Sequence, residues 1–178
     1  FSYKPLHVDS KETSLTDYNG DVVDQVSQGV LGVHRDDTVD VPERFIYDSV
    51  IYDSPKEEQT ILKSDIDEVV VFGKIPRRSI QIPLFTGGTT SPDFMYVINS
   101  KKGDNEINFI VETKDMTDDK GLRRSEEYRI KSAEKFFKTL KEEGLNVVFK
   151  KQLKNDDIVA MIKGLSKKGL SKNTNRNV

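Results

Sequence analysis

The fold is decided by residues 91–114, which read SPDFMYVINSKKGDNEINFIVETK. Two apolar runs, at 94–98 and 107–111, flank a polar segment with Lys-Gly-Asp at residues 102–104. Short apolar runs joined by a polar segment that contains glycine are typical of a β-hairpin. The pattern therefore predicts two adjacent antiparallel strands, with charged residues at their open end.

The hairpin brings three charged residues together. A turn centred between residues 102 and 103 places Asp93 opposite Glu112, whereas one centred on residues 103 and 104 places it opposite Lys114. Facing residues of antiparallel strands lie about 4.5–5.5 Å apart between Cα atoms. Residues i and i+2 of a strand share a face, so Glu112 and Lys114 point the same way. In either register, we expect Asp93, Glu112 and Lys114 to converge.

Two carboxylates and an ammonium group on neighbouring strands suit the metal-dependent hydrolysis of a phosphodiester. The carboxylates can hold a divalent cation, which acidifies water and neutralises charge on a phosphate. The lysine can orient or activate the attacking water and stabilise developing negative charge. The carboxylates should keep Lys114 protonated, which weakens the case for a role as a base. The alternative interpretation is that these are charged strand ends facing solvent.

The composition restricts the kind of metal site. The 178 residues include no cysteine, which excludes thiolate zinc and a disulfide scaffold, and only two histidines, His7 and His34. Both histidines lie in poorly patterned sequence, and we expect neither to be catalytic. Carboxylates are therefore the expected ligands, and they favour hard cations such as Mg²⁺. No apolar run approaches the roughly 20 residues that span a bilayer.

The rest of the sequence predicts one α/β domain. Ser54-Pro55 is typical of a helix start and Gly144 of a helix end. The predicted helices and strands are interspersed along the chain, and such an order favours a mixed β-sheet flanked by helices on both faces. The periodicity predicts helices after residue 54, over 122–140 and, capped by Asn155 or Asp156, over 158–165. It also predicts strands over 69–72, 79–84 and 145–149 and a loop at 86–91.

We expect three regions along the chain. Residues 1–52 form an N-terminal arm or small β region, with β-like stretches at 29–33 and 45–52. Residues 53–165 form the core, and residues 166–178 form a disordered basic tail. The chain opens in mid-pattern and without methionine, so we expect it to be a piece of a larger polypeptide.

Charge is unevenly distributed along the chain. Residues 1–119 hold 12 Lys+Arg against 23 Asp+Glu, a net of −11, while residues 120–178 hold 16 against 7, a net of +9. A basic C-terminal third can serve as a phosphate-facing surface, although solvated helix faces and a basic tail are the alternative. The candidate DNA contacts there are Arg124, Lys131, Lys135, Lys138, Lys150 and Lys151.

A longer set of residues is similar to a known family. Residues 91–98 (SPDFMYVI) and 108–114 (NFIVETK), with 70–77 (VVFGKIPR) upstream and 149–153 (FKKQL) downstream, carry the likeness. They resemble the C-terminal endonuclease domain of the restriction (Res) subunit of type III restriction enzymes, within the PD-(D/E)xK nuclease superfamily. The resemblance covers roughly residues 53–165 and implies a restriction-endonuclease-like fold.

The resemblance also implies roles for individual residues. In that family the aspartate and glutamate bind magnesium and the lysine is catalytic, which maps onto Asp93, Glu112 and Lys114. Superfamily members often carry another acidic residue on the first helix. We select Glu58 for that position because it precedes two apolar helix residues by three and four positions, and Glu57 stays open as the alternative.

The family further implies a context for the chain. Its restriction subunit contains a helicase-type ATPase and works with a methyltransferase subunit that reads the DNA sequence. We therefore expect a Mg²⁺-dependent cleavage module for double-stranded DNA in the bacterial cytoplasm, without membrane association. ATP would be used by a helicase part upstream of residue 1 and not by this chain.

Two other functions fit the same residues. A repair or junction-resolving nuclease of the same superfamily would cut branched DNA without a partner or ATP. A decayed, nuclease-like module would bind DNA or protein but no metal. Titration with Mg²⁺ or Mn²⁺ separates the decayed module from the two nucleases.

Overall fold

The computed structural model describes residues 15–101, 106–117 and 123–168, and it is built around a four-stranded sheet. In chain order the elements are α1 (Gln28–Leu31), β1 (His34–Asp36), β2 (Val50–Tyr52), α2 (Pro55–Lys63), β3 (Val69–Lys74), β4 (Ile82–Pro83), β5 (Thr89–Thr90), β6 (Phe94–Asn99), β7 (Glu106–Thr113), α3 (Arg124–Glu142), β8 (Val147–Gln152) and α4 (Ile158–Lys168). Two small antiparallel sheets, β1 with β2 and β4 with β5, lie beside it.

The main sheet is mixed, with strand order β3-β6-β7-β8. The β3–β6 and β6–β7 pairs are antiparallel, and β7–β8 is parallel, as expected when α3 connects them. Phe94 pairs with Val111 and Asn99 with Glu106, which is the first of the two predicted registers. The residues assigned to the turn, 102–104, lie outside the described residues.

Helices cover both faces of this sheet. On one face, Phe94, Tyr96 and Phe109 are buried with Ile61 of α2 and Ile158 of α4. On the other face, Ile110 and Val147 pack with Ala133 and Phe137 of α3. Strands that are apolar on both sides need cover on both sides. The predicted fold class, a mixed sheet flanked by helices on both faces, is confirmed.

The N-terminal region differs from its prediction. The β-like stretch at 29–33 is wrong, because residues 28–31 form the single turn α1, in which Gly32 N–H donates to the Gln28 carbonyl at 2.9 Å. Phe45 and Val50, assigned to the arm, are buried in the same core as α2. The predicted boundary at residue 52 therefore falls inside a single core.

Local capping explains where the helices begin and end. Ser54 Oγ accepts a hydrogen bond from Glu57 N–H at 3.3 Å, as its position before α2 predicted. Gly144 follows α3 with a φ of 103°, a conformation that favours glycine. The predicted cap of α4 is wrong: Asp157, not Asn155 or Asp156, accepts from Val159 N–H at 3.1 Å. In the described part of the chain, no helix is long and apolar enough to cross a membrane.

Candidate active site

Backbone hydrogen bonds fix Asp93 at one end of the sheet. Asp93 N–H donates to the carbonyl of Val111 in β7 at 3.1 Å, and the Asp93 carbonyl accepts from Ile75 N–H, just after β3, at 2.8 Å. Glu112 is the penultimate residue of β7. Just after the strand, Lys114 N–H donates to the Gln152 carbonyl of β8 at 2.8 Å. Four strands thus position the candidate site.

The three side chains predicted to converge are held at this end of the sheet. Lys114 Nζ lies 2.7 Å from Glu112 Oε1. Asp93 Oδ2 accepts two hydrogen bonds from Thr113, from N–H at 2.6 Å and from Oγ1 at 2.7 Å. Thr113 was not anticipated from the sequence, although its place between Glu112 and Lys114 puts its N–H beside any residue opposite Glu112. The structure brings Asp93, Glu112 and Lys114 together as the register requires.

Burial and crowding of negative charge raise the pKa values of both carboxyl groups. Burial, reinforced by Glu112 and then Glu57, raises the pKa of Asp93 to about 7. Burial also raises the pKa of Glu112, against the opposing effect of the Lys114 ammonium. Burial alone would lower the pKa of Lys114, but the Glu112 and Asp93 carboxylates outweigh it, and the pKa is raised. Lys114 is therefore a protonated group at neutral pH.

The helix acid that faces this site is Glu57, so the placement expected of Glu58 is wrong. Glu57 is buried, and its charge acts on both Asp93 and Glu112. Glu58 is only partly buried, and its charge acts on Tyr52 instead: burial and then Glu58 raise the pKa of the Tyr52 phenol. The phase of α2 explains the difference. Its buried positions are 57, 60, 61 and then 64, whereas Leu62, which favoured Glu58, is exposed.

A buried ion-pair network surrounds Glu57. Lys74, the last residue of β3, places Nζ 2.5 Å from Glu57 Oε2 and 3.4 Å from Asp53 Oδ2. Asp53 also pairs with Arg77 at 2.8 Å. Sequence reasoning missed Lys74 and Asp53. The available signal was periodicity, since Lys74 lies two residues after the core residue Phe72 and so on the same face.

From the other face, α3 contributes a positive charge to the site. Ile110 and Glu112 share a face of β7, and Ile110 packs against Ala133 of α3. The helix runs antiparallel to β7, so Arg129, one turn before Ala133, lies towards Glu112. Arg129 is exposed, and its charge lowers the pKa of Glu112, though less than burial raises it. Arg129 was also not anticipated from the sequence.

The DNA contacts expected from the sequence are scattered. The Arg124 guanidinium lies over the Tyr128 ring, 5.8 Å from its centroid, and Lys131 is exposed on α3. In β8, Lys151 pairs in register with Glu112 and shares its face, whereas Lys150 faces the opposite side. Of these four residues, Lys151 has the backbone position nearest to Glu112.

The chemistry of the donors fits a hard divalent cation. Asp93 and Glu112 supply only oxygen atoms, and a cation would offset the burial and the neighbouring negative charge that raise their pKa values. Among the described residues, no three His, Cys, Asp or Glu side chains are grouped tightly enough to hold a metal ion by themselves. Glu57 Oε2 and Glu112 Oε1 each pair with a lysine. Because no third acidic side chain completes a group with Asp93 and Glu112 among the described residues, the protein ligands would number two, with water and phosphate completing the set.

Comparison with known proteins gives a consistent result. A family model described as an endonuclease domain matches residues 43–156. The chain is 39% identical over 151 residues to the Res subunit of the type III restriction-modification enzyme EcoPI of Escherichia phage P1, and 38% identical over 151 residues to that of EcoP15I of Escherichia coli. Each match covers 85% of this chain and 15% of the relative.

A third relative extends the same pattern. The Res subunit of StyLTI of Salmonella typhimurium is 31% identical over 166 residues, which is 92% of this chain and 16% of the relative. The chain thus spans about 15% of the length of the curated relatives that it matches. No solved structure matches it significantly.

Proposed function

This chain belongs to the endonuclease domain family, and from that premise we propose that it hydrolyses DNA phosphodiester bonds with Mg²⁺ at Asp93, Glu112 and Lys114. The observation that carries the proposal is the meeting of a partly buried and a buried carboxyl group, Asp93 and Glu112, with Lys114 at the end of a hairpin. Their placement has a clear use in binding a divalent cation.

Each residue has a distinct part in this proposal. Asp93 and Glu112 would hold the cation, and Thr113 orients Asp93 through two hydrogen bonds to one oxygen. When bound, the cation supplies positive charge for the phosphate and promotes ionisation of the attacking water. Lys114, kept protonated by Glu112, would donate hydrogen bonds to the water or to a phosphate oxygen and stabilise negative charge that develops there.

The substrate and setting are proposed from the relatives. Because those relatives are Res subunits of type III restriction-modification enzymes, we infer that this chain cuts double-stranded DNA as the nuclease part of such an enzyme. A modification methyltransferase subunit would be its partner, and ATP would be used by a helicase part outside this chain. The bacterial cytoplasm is the expected location. Arg129 and Lys151 are the basic residues closest to the site that could meet the DNA backbone.

The experiment is cleavage of plasmid DNA by the complete enzyme that contains this chain. D93N, E112Q and K114A should each lower the cleavage rate by at least about 100-fold, because each removes a group that acts on the phosphate or its cation. D67N and K101M are matched controls near the opposite end of the sheet and should cut like the wild type. Circular dichroism checks that the variants are folded.

Other outcomes would reassign the function. Undiminished cleavage by D93N or K114A would remove these residues from the chemistry. Efficient cutting of branched DNA without a partner or ATP would indicate a repair or junction-resolving nuclease instead. Absence of divalent cation binding, even with DNA present, would indicate a decayed module.

A further inference from the structure

Lys74 is a buried lysine on the border of the site: it pairs in register with Phe94, the residue after Asp93, and the next residue, Ile75, donates its N–H to the Asp93 carbonyl at 2.8 Å. Its side chain is 4% exposed, and its Nζ lies 2.5 Å from Glu57 Oε2. A second carboxylate, that of Asp53, lies 3.4 Å away. A charge removed from water at this depth is costly unless it is paired. Lys74 and Glu57 therefore constrain each other's position.

The Lys74–Glu57 pair is fixed from several sides. The Tyr47 hydroxyl donates to the Lys74 carbonyl at 2.8 Å, and Asp53 N–H donates to Glu57 Oε2 at 3.0 Å. Asp53 is in turn held by Arg77, whose guanidinium lies 2.8 Å from Asp53 Oδ1. The Glu57 carboxylate is thus held by Lys74 and by the backbone of Asp53, and its charge acts on both Asp93 and Glu112.

We propose that Lys74 is a positioning residue of the site: it fixes the Glu57 carboxylate beside Asp93 and Glu112 and competes with the divalent cation for its negative charge. This inference rests on the proposed function, because it needs a cation at Asp93 and Glu112. The Glu57 carboxylate favours a cation at Asp93 and Glu112, and the Lys74 ammonium opposes this effect. The pair therefore sets the affinity of the site for the cation.

The test is calorimetric titration of the full 178-residue chain with Mn²⁺. K74M keeps the length of the side chain but removes its charge, which leaves Glu57 free to attract the cation. We expect K74M to bind Mn²⁺ about tenfold more tightly than the wild type, although its thermal midpoint without added cation is lower. K74R keeps the charge and should keep the wild-type affinity. Unchanged affinity in a folded K74M would mean a purely structural role and would overturn the inference.

A second pair of variants guards against misfolding of K74M. E57Q removes the charge for which Lys74 and the cation compete and should weaken Mn²⁺ binding, and in the double variant E57Q/K74M the loss of Lys74 should add nothing, so its affinity should equal that of E57Q. A tenfold gain of E57Q/K74M over E57Q would mean that Lys74 repels the cation directly and not through Glu57, and it would contradict the inference even if K74M fails to fold. R44M removes an ion pair remote from the site and should leave Mn²⁺ binding unchanged.

D93N separates this inference from the proposed function. If the wild type binds Mn²⁺, D93N does not, and K74M matches the wild type, the metal site stands and the role of Lys74 falls. If D93N binds Mn²⁺ as tightly as the wild type, or if neither the wild type nor K74M binds it, the metal site itself is wrong and the inference falls with it.

Discussion

Glu57 and Glu58 are adjacent carboxylates on α2, and only Glu57 reaches the site. Glu57 is buried against Lys74, and Glu58 lies towards Tyr52. If the carboxylate of Glu57 supports the bound cation, E57Q should lower the DNA cleavage rate by about 10- to 100-fold, the range found when groups around a metal site are removed. E58Q is the matched control and should stay within about twofold of the wild type. Rates are compared at saturating Mg²⁺.

The opposite ranking would restore the choice made from the sequence. If E58Q loses activity and E57Q does not, Glu57 is merely the partner of Lys74. Loss in both would point to a general weakening of α2, which the thermal midpoints of the two variants would reveal.

At the scale of single residues, the alternation of side chains along a strand predicted which face each residue occupies. The spacing of residues around a helix did not. In a strand, a residue's face alternates strictly, so the meeting of Asp93 with Glu112 followed once the hairpin was recognised. In a helix, adjacent residues project about 100° apart, and one misleading apolar residue shifts the assigned face. Exposed Leu62 was that residue. Lys74 and Arg129 were missed because their approach depends on packing between elements distant in sequence.

At the scale of elements, the predicted parts were those with local signals. The hairpin, the start of α2 and the end of α3 depend on residues close in the chain. The segment around Phe45 does not. Its neighbours exchange hydrogen bonds with Phe72 of β3, since Phe72 N–H donates to Arg44 and Ile46 N–H donates to Phe72, both at 2.9 Å. The β-like pattern of residues 45–52 does not identify a partner that lies 27 residues away in the chain.

Asp65, in the loop after α2, binds the segment around Phe45 through Glu43 and Arg44. This contact gives a pH-dependent prediction. Asp65 accepts from Arg44 Nη1 at 2.6 Å and from Glu43 N–H at 2.8 Å, and the Arg44 hydrogen bond in particular lowers the pKa of Asp65. A lowered carboxyl pKa stabilises the fold above the unfolded-state pKa, and this stability is lost as pH falls through the folded-state value. D65N should therefore lower the free energy of unfolding at pH 7.

Urea unfolding from pH 7 down to pH 3 measures this dependence. The difference between the wild type and D65N should begin to shrink as the pH falls below about 4, where Asp65 of the unfolded chain becomes protonated, and should go on shrinking towards the lower pKa of the folded state. D67N is the control, because Asp67 lies 3.7 Å from Arg44 with a fully exposed side chain and should show little effect at any pH. A difference that stays constant with pH would mean that lost hydrogen-bond geometry, not charge, accounts for the effect.

At the scale of the whole molecule, the resemblance expected from residues 91–114 is confirmed by the family match and by the Res subunits. That likeness is carried by short stretches of consecutive residues, which a sequence displays directly. The basic character of the C-terminal third was equally visible in the sequence. The sequence did not show which of its basic residues face the site. Lys150 and Lys151 face opposite sides of the sheet, so a basic stretch in sequence is divided in space.

Arg129 and Lys131 provide the sharpest test of which basic residues meet DNA. They are two residues apart on α3 and project about 200° from each other, so both cannot contact the same phosphate group. Arg129 lies towards Glu112, whereas Lys131 was the candidate from sequence. We expect R129A to weaken binding of double-stranded DNA and to reduce the slope of log affinity against log salt by about one, because one phosphate contact is lost. K131A should change neither quantity.

Anisotropy titrations in a K114A background, which prevents cleavage, measure both the affinity and its salt dependence over a range of salt concentrations. If K131A rather than R129A lowers the slope, the DNA lies across the outer face of α3, away from the carboxylates, and the path proposed from the site to the phosphate is wrong.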